Sequence, residues 1–307
     1  MRKKRKGMRM SAGEKVFVFF NSLILTLFFI VLLYPLIYVL SASFSDPDAI
    51  YSGKMILFPV GFSFDGYEFI MRYRDIWTGY ANTIFYTIGG TILNLVVTLP
   101  CAYALSRKDL KGGGIIMGLF IVTMYFNGGL IPTYINASEF GLVNNRASLL
   151  VLGLVNVYNL IVARTFFANS IPMELQEAGY LDGCNTFQLF RQVILPLSAP
   201  IIVVLALYYG VSHWNQYFNA MVYLRDRELF PLQMILKEIL TQGQMSKSAL
   251  ADSGFGAAEI HQMLEMAERA DRMKYGIIVV SAGPMLAVYP WLQKFFAKGM
   301  MIGSVKG

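Results

Sequence analysis

The residues whose types and spacing could do chemistry lie in one polar stretch between long hydrophobic runs. It combines carboxylates with small residues and ends at a Leu-Pro pair where the next hydrophobic run begins. Small residues allow a close approach of two backbones, and carboxylates can accept charge-assisted hydrogen bonds from a partner. The pattern favours noncovalent docking onto another protein, although an ordinary interfacial helix pair fits the spacing alone. The candidate docking residues are Glu177, Ala178, Gly179, Asp182, Gly183, Leu195 and Pro196.

Covalent and metal chemistry have few candidates. His213 and His261 make no pair with metal-ligand spacing. Apart from Asp46, which ends the first run, the long apolar runs contain no Asp or Glu, and this argues against a membrane-embedded enzyme and against an ion-coupled secondary transporter. The glycine-rich stretches lack the spaced lysine of a phosphate-binding loop. We therefore expect no metal and no cofactor in this chain, and we expect Cys101 and Cys184 to be unbridged on the reducing side of a membrane.

Composition indicates an integral membrane protein. Hydrophobic residues make up 56% of the 307 residues and charged residues only 15%, whereas soluble domains average about 25% charged. A bilayer core needs about 20 apolar helical residues, and six runs meet or approach that length. The predicted fold class is all-α, a polytopic membrane protein with six transmembrane helices in one domain. The runs are 16–46, 78–106, 112–138, 147–163, 192–224 and 275–293.

The distribution of Lys and Arg predicts the orientation. With the amino terminus inside, most of the 26 Lys and Arg residues fall in inside segments, as the positive-inside rule requires. Both termini are therefore expected in the cytoplasm. The basic start, Arg2 to Lys6, is interpreted as a topology anchor attracted to anionic lipid, rather than a nucleic-acid site. The apolar run that follows the basic start is about twice the length of a signal-peptide core. We therefore expect that the start is not cleaved as a signal peptide. The predicted parts are a basic cytoplasmic tail 1–15, a six-helix transmembrane domain 16–298 with a cytoplasmic hairpin 170–196 and an external segment 223–274, and a cytoplasmic carboxyl-terminal tail 299–307.

Local signals predict the hairpin. Ser170 can cap a short helix over 172–182, which should end at Gly183, where a left-handed residue costs least. Asn185 and Gln188 have the spacing of a capping box that starts a second helix. The result is a helix-turn-helix on the inner membrane face.

Glycine, proline and amphipathic patterns predict further features. Gly89, Gly90 and Pro100 allow close helix contact and a kink. The Asn-Gly-Gly run followed by Pro at 127–132 predicts a bend at the outer face. The external segment carries two helical patterns joined by a connector over 242–256. We expect these helices to pack on the outer mouth, with binding to the membrane or to a partner as alternatives. The pattern positions are Leu232, Ile235, Leu236, Ile239 and Leu240, then Ile260, Met263, Leu264 and Ala267.

The hairpin resembles the conserved cytoplasmic loop of binding-protein-dependent ABC importer permeases, Glu-Ala-Ala, three residues, Gly, nine residues, Ile, one residue, Leu-Pro. Gly179 replaces the second Ala and Val193 replaces Ile. Segments 124–134, 231–236 and 296–307 are similar to the second permease of maltose-type carbohydrate importers, in the branch that takes oligosaccharides derived from complex polysaccharides. The resemblance implies a type I ABC importer permease fold, in a bacterial cytoplasmic membrane. It also implies a second related permease, two cytoplasmic ATPase subunits that bind ATP and Mg, an extracellular sugar-binding protein and an oligosaccharide substrate.

The resemblance also implies roles for residues. The stretch from Glu177 to Gly183 would transmit ATP-driven movement, and the tail would reach between the ATPases, although a frayed end is the alternative. The tail residues are Met301, Ile302, Gly303 and Ser304. Sugars are bound by stacking and hydrogen bonds, so polar and aromatic residues in two runs are candidates for the translocation path. They are Asn156, Tyr158 and Asn159, and the stretch from His213 to Asn219, in which Trp214, Asn215 and Tyr217 are singled out. Helix–helix hydrogen bonds and interfacial aromatic belts explain such residues equally well, and most sugar contacts could come from the other permease.

Overall fold

The structure, a computed structural model, describes residues 11–250 and 257–303, and in these ranges every regular element is a helix. A π-helical turn occupies Phe190–Ile194 and a 3-10 turn occupies Arg227–Leu229. The α-helices are α1 (Ala12–Ala42), α2 (Pro47–Tyr51), α3 (Asp65–Arg72), α4 (Arg74–Ser106), α5 (Gly113–Tyr125), α6 (Leu130–Glu139), α7 (Arg146–Val151), α8 (Val157–Ser170), α9 (Met173–Leu181), α10 (Thr186–Leu189), α11 (Leu195–Leu197), α12 (Ala199–Trp214), α13 (Phe218–Tyr223), α14 (Leu232–Leu250) and α15 (Ala257–Gly303).

Two helices in the described ranges, α1 and α4, are long and apolar enough to cross a bilayer. Two bent pairs raise the number to four if each is one span: α5 with α6, bent by 113°, and Thr186–Leu197 with α12, bent by 81°. The all-α membrane fold is confirmed. The last predicted run lies inside α15, and the total of six spans stays a prediction.

The fourth predicted run is not one helix. It divides into α7 and α8, because Gly153 adopts a left-handed φ of 77° and Asn156 starts a new helix by accepting a hydrogen bond from Asn159 N. A capping amide side chain of this kind favours a helix start over a continuous helix. The predicted bend at 127–132 is present inside the third run, between α5 and α6, where Gly129 has a φ of 81°.

One compact unit comprises the described residues of Met1–Met71 and Gly243–Val279. Ser11 and Glu14 form a capping box that starts α1, and α1 is apolar on all faces, with none of its most apolar stretch buried, as suits a helix surrounded by lipid. Within this unit Arg272 binds Asp65 at 3.0 Å, and Gly66 lets the α3 backbone approach the Arg272 carbonyl.

The second unit comprises the described residues of Arg72–Gln242 and Val280–Gly307. It is built around α4, which packs against α12, α8 and α7. Its core contains Tyr103 from α4, Phe167 from α8 and Leu205 from α12. Leu189 and Ile194 of the predicted hairpin belong to the same core and are fully buried. The hairpin is therefore held by the same packed core as the spans.

The amphipathic segments differ from each other. Leu232, Ile235 and Ile239 of α14 are buried, so the prediction that this face packs is confirmed. In α15, Ala267 is buried but Leu264 is exposed, so only part of the second pattern packs. The prediction that a connector starts at residue 242 was wrong. The helix α14 continues through Gly243 to Leu250 and contains no proline that would end it. The rest of that connector, 251–256, lies outside the described residues.

Candidate functional site

The hairpin turns at a Schellman motif. Cys184 N donates to Gly179 O and Gly183 N donates to Tyr180 O, which is the pair of bonds that closes a helix whose next residue is left-handed. Gly183 has the required φ of 83°. Asn185 then starts α10 with the predicted capping box. The predicted cap at Ser170 was wrong, because Ser170 ends α8 and Pro172 precedes α9.

The outer side of the hairpin is exposed. Glu177, Ala178, Asp182 and Gly183 are all exposed, as is Pro196, whereas Leu195 is half-buried. Gly179 faces inward instead, where an added Cβ would lie 2.6 Å from Leu189 Cδ1. Its small size therefore allows α9 to pack closely against Leu189 of α10. The sequence signal did not single out the exposed apolar residues Leu181, at 88% exposure, and Phe187, at 69%. The sequence signal that could have identified them is that they are large apolar residues next to the polar docking residues.

Arg107, which follows α4, ties the hairpin to that helix. Its guanidinium donates to the Tyr180 hydroxyl at 2.7 Å and lies over the Tyr180 ring. It also binds both carboxylate oxygens of Asp109, and this hydrogen bonding lowers the pKa of Asp109. Hydrogen bonds from Thr186 and then Arg107 lower the pKa of Tyr180. The planar guanidinium of Arg107 therefore links the turn after α4 to Tyr180 of α9.

A second feature is a polar cavity of about 450 Å³ within the larger unit. Such a volume falls in the range of small-molecule sites. Residues from α4, from the break between α7 and α8, and from both ends of the α12–α13 connection line it. They are Asn94, Leu152, Gly153, Asn156, Tyr158, Asn159, Tyr208, Tyr209, Ser212, His213, Gln216 and Asn219.

Hydrogen bonds order the cavity wall. Asn94, 2% exposed, donates through Nδ2 to Leu154 O at 2.5 Å and pairs through Oδ1 with His213 Nε2 at 2.7 Å. Because Asn94 Oδ1 can only accept, a neutral His213 carries its proton on Nε2. Gly90 makes room for this ring, since an added Cβ would overlap it. The predicted close helix contact at the glycine pair is therefore present.

Comparison with known proteins identifies the family. The chain is 37% identical over 283 residues to the polygalacturonan/rhamnogalacturonan transport system permease protein YtcP of Bacillus subtilis (strain 168), covering 92% of this chain and 96% of that protein. It is 35% identical to Protein LplC of the same organism, covering 89% of each. The chain belongs to the permease subunits of sugar ABC importers. No family model matches it.

A solved structure agrees with this assignment. A chain from the crystal structure of a bacterial ABC transporter involved in the import of the acidic polysaccharide alginate superposes on the permease with a TM-score of 0.82 and 34% identity. The match covers 94% of the permease and all of that chain. The importer permease fold is therefore confirmed, and an independent secondary transporter or an embedded enzyme does not fit the family.

The permease structure separates the residues predicted for the translocation path. Asn156, Tyr158 and Asn159 line the cavity. The other three do not: Trp214 is buried and donates to Ser281 O at 3.1 Å, Asn215 is exposed and donates to Val211 O, and Tyr217 is 40% exposed away from the lining. Their neighbours His213, Gln216 and Asn219 line it instead, because the helix turns at this point and changes which side chains face inward.

The carboxyl-terminal tail of the permease is described only in part. Met301, Ile302 and Gly303 form the end of α15, and Ser304 lies outside the described residues. The helical backbone continues past residue 298, where the tail was predicted to begin. In residues 11–250 and 257–303, no group of three or more His, Cys, Asp and Glu side chains could hold a metal ion.

Proposed function

We propose that this chain is one of two related permease subunits in a binding-protein-dependent importer that carries oligosaccharides across a bacterial cytoplasmic membrane by alternating access. Its family supports this, since relatives over nearly the whole chain are sugar importer permeases. The observation that carries the proposal is an exposed, rigidly anchored hairpin on a chain of this family.

The substrate class follows from the names of the relatives. One serves polygalacturonan and rhamnogalacturonan, another is an arabinooligosaccharides permease, and the structural relative takes part in import of alginate. These share long carbohydrate chains rather than a single sugar. We therefore propose oligosaccharides released from a polysaccharide, delivered by an extracellular sugar-binding protein.

The hairpin is proposed to dock into a cytoplasmic ATPase subunit. Leu181 and Phe187 offer apolar surface that water would otherwise cover, while Glu177 and Asp182 offer charge at the rim. ATP and Mg would bind to two such ATPase subunits, and this chain would be non-catalytic. The core that holds Leu189 would transmit the movement to α4, α8 and α12.

Two further assignments belong to this proposal. Both termini are proposed to be cytoplasmic, because the positively charged residues favour that side. The tail from Met301 to Ser304 would then lie on the ATPase side, where it could reach between the two ATPase subunits.

Affinity purification of this chain from its native membrane tests the proposal. We expect a related permease and an ATPase to copurify, with ATP hydrolysis stimulated by a sugar-loaded binding protein. Leu181→Asp should lose the ATPase because it puts a charge on the apolar docking surface, whereas the matched control Leu181→Met should keep it. Purification of the wild-type chain alone would refute the proposal.

A further inference from the structure

The polar cavity is lined by the middle part of α4, a helix long and apolar enough to cross a bilayer. Asn94 is 12 residues from the inner end of α4 at Ser106 and 20 residues from its outer end at Arg74, or about 18 Å and 30 Å at 1.5 Å per residue. With a hydrocarbon core of about 30 Å centred on this 33-residue helix, Asn94 and the His213 ring that it holds fall inside the core. A polar side chain in the hydrocarbon core costs free energy unless it faces the protein interior or a water-filled path.

Two interruptions of regular helix meet at the cavity. One is the break from Leu152 to Asn156, between α7 and α8, and the other runs from Asn215 to Tyr217, between α12 and α13. Non-helical backbone inside a membrane is tolerated only where protein buries it or where it lines a water-filled cavity. Asn94 satisfies one freed carbonyl, Leu154 O, and both interruptions contribute residues to the cavity wall.

The lining chemistry matches hydroxyl groups. The polar lining side chains are amides, phenols, a hydroxyl and one imidazole, and none is an Asp, Glu, Lys or Arg. Gln216 Nε2 is buried without a hydrogen-bond partner, so a donor is available. Tyr158 and Tyr208 are 56% and 43% exposed and offer aromatic faces with hydroxyl tips. Such neutral donors and acceptors bind polyhydroxyl compounds without the desolvation cost of an ion.

We infer that this cavity is a sugar subsite in this subunit itself, which receives one ring of the oligosaccharide during translocation and binds its hydroxyls through Gln216, Asn159 and Tyr158. The inference rests on the proposed function, because it concerns the passage of the same substrate. His213 acts as a positioning residue, since its Nε2 proton is committed to Asn94. Tyr209 also positions the wall, through its bond of 2.8 Å to Thr98 Oγ1.

The test uses the complete importer in proteoliposomes, with its binding protein, and measures sugar transported per ATP hydrolysed. Oligogalacturonides, alginate oligomers and maltooligosaccharides serve as probes. Gln216→Met removes the amide at similar size, and we expect about a tenfold lower ratio with the best probe, while stimulation of hydrolysis by the loaded binding protein persists. Tenfold corresponds to about 1.4 kcal/mol, the value of one good hydrogen bond.

Two further variants keep the test decisive. Asn215→Leu, next in the chain but outside the cavity, should keep the wild-type ratio. Tyr158→Phe removes only one hydroxyl from an exposed side chain and should lower the ratio even if Gln216→Met fails to assemble. Wild-type ratios in both cavity variants would overturn the subsite while leaving the importer intact. A wild-type complex that moves none of the probes would instead contradict the proposed function.

Discussion

The contact between Gly90 and His213 shows how one missing methyl group can shape the cavity. His213 reaches Asn94 only because Gly90 has no side chain in its path. Gly89, one residue earlier, faces a looser environment, where an added Cβ would lie 3.6 Å from Leu150 Cδ2. Of these two adjacent glycines, only Gly90 is required by the packing of a neighbouring side chain.

Gly90→Ala should displace the His213 ring, because the new methyl group would overlap it. We expect the purified complex to lose about 1–3 kcal/mol of unfolding free energy, the usual cost of overpacking, and to transport more slowly. Thermal unfolding and uptake measure the two effects. Gly89→Ala is the matched control and should behave like the wild type. Equal effects of the two substitutions would contradict the assigned contact.

Arg107 supports a second prediction for a single residue. Arg107→Lys keeps the charge but cannot bind both Asp109 oxygens and the Tyr180 hydroxyl in one planar fork. We expect lower coupling of hydrolysis to uptake, because the hairpin would lose its link to α4. The ratio of uptake to hydrolysis measures this.

Lys108→Gln, which changes an exposed neighbour, is the control for local charge and should leave coupling unchanged. If Arg107→Lys also left it unchanged, the link would not contribute to coupling.

At the scale of the element, polar residues on α4 hold the chain that leads into α14. Asn82 donates to Glu228 O at 2.7 Å and to Phe230 O at 3.1 Å, and accepts from Arg146. Thr83 accepts from Leu232 N at 2.8 Å. The bond to Leu232 N is buried and the two bonds of Asn82 are part-buried, and together they give partners to backbone groups of the connection, so α4 fixes where α14 begins.

Asn82→Ala should destabilise this connection, since it removes part-buried hydrogen bonds to two backbone carbonyl groups and one to the Arg146 guanidinium. We expect a loss of about 1–3 kcal/mol in unfolding free energy, measured on the purified complex. Asn215→Ala, at an exposed asparagine with one local bond, should cost much less. A cost at Asn82 no larger than at Asn215 would show that the connection is held by apolar packing alone.

At the scale of the whole molecule, the orientation predicted from charge can be measured directly. Lys54 and Lys111 are both exposed and lie on opposite sides of the membrane in the predicted topology. In a background of Cys101→Ala and Cys184→Ala, a membrane-impermeant thiol reagent should label Lys54→Cys in intact cells but not Lys111→Cys.

Permeabilised cells are the control, because both cysteines should then react. Labelling of Lys111→Cys in intact cells would place the hairpin outside and would contradict the docking of an ATPase there.

The sequence by itself determined the membrane class, the all-α fold and the hairpin. These follow from local physics: hydrophobic run length, a capping amide at Asn185 and the left-handed preference of Gly183 depend on neighbouring residues only. The family motif added the importer assignment, which the relatives confirm.

Only the tertiary structure decided which polar residues share the cavity. Asn94 and His213 lie 119 positions apart, and no local pattern relates them. Trp214 and Asn215 looked as suitable as His213 and Gln216, but the helix ends between them, and that change of direction selects which side chains face inward. The direction of side chains at a broken helix depends on packing between residues far apart in the sequence, and local periodicity does not predict that packing.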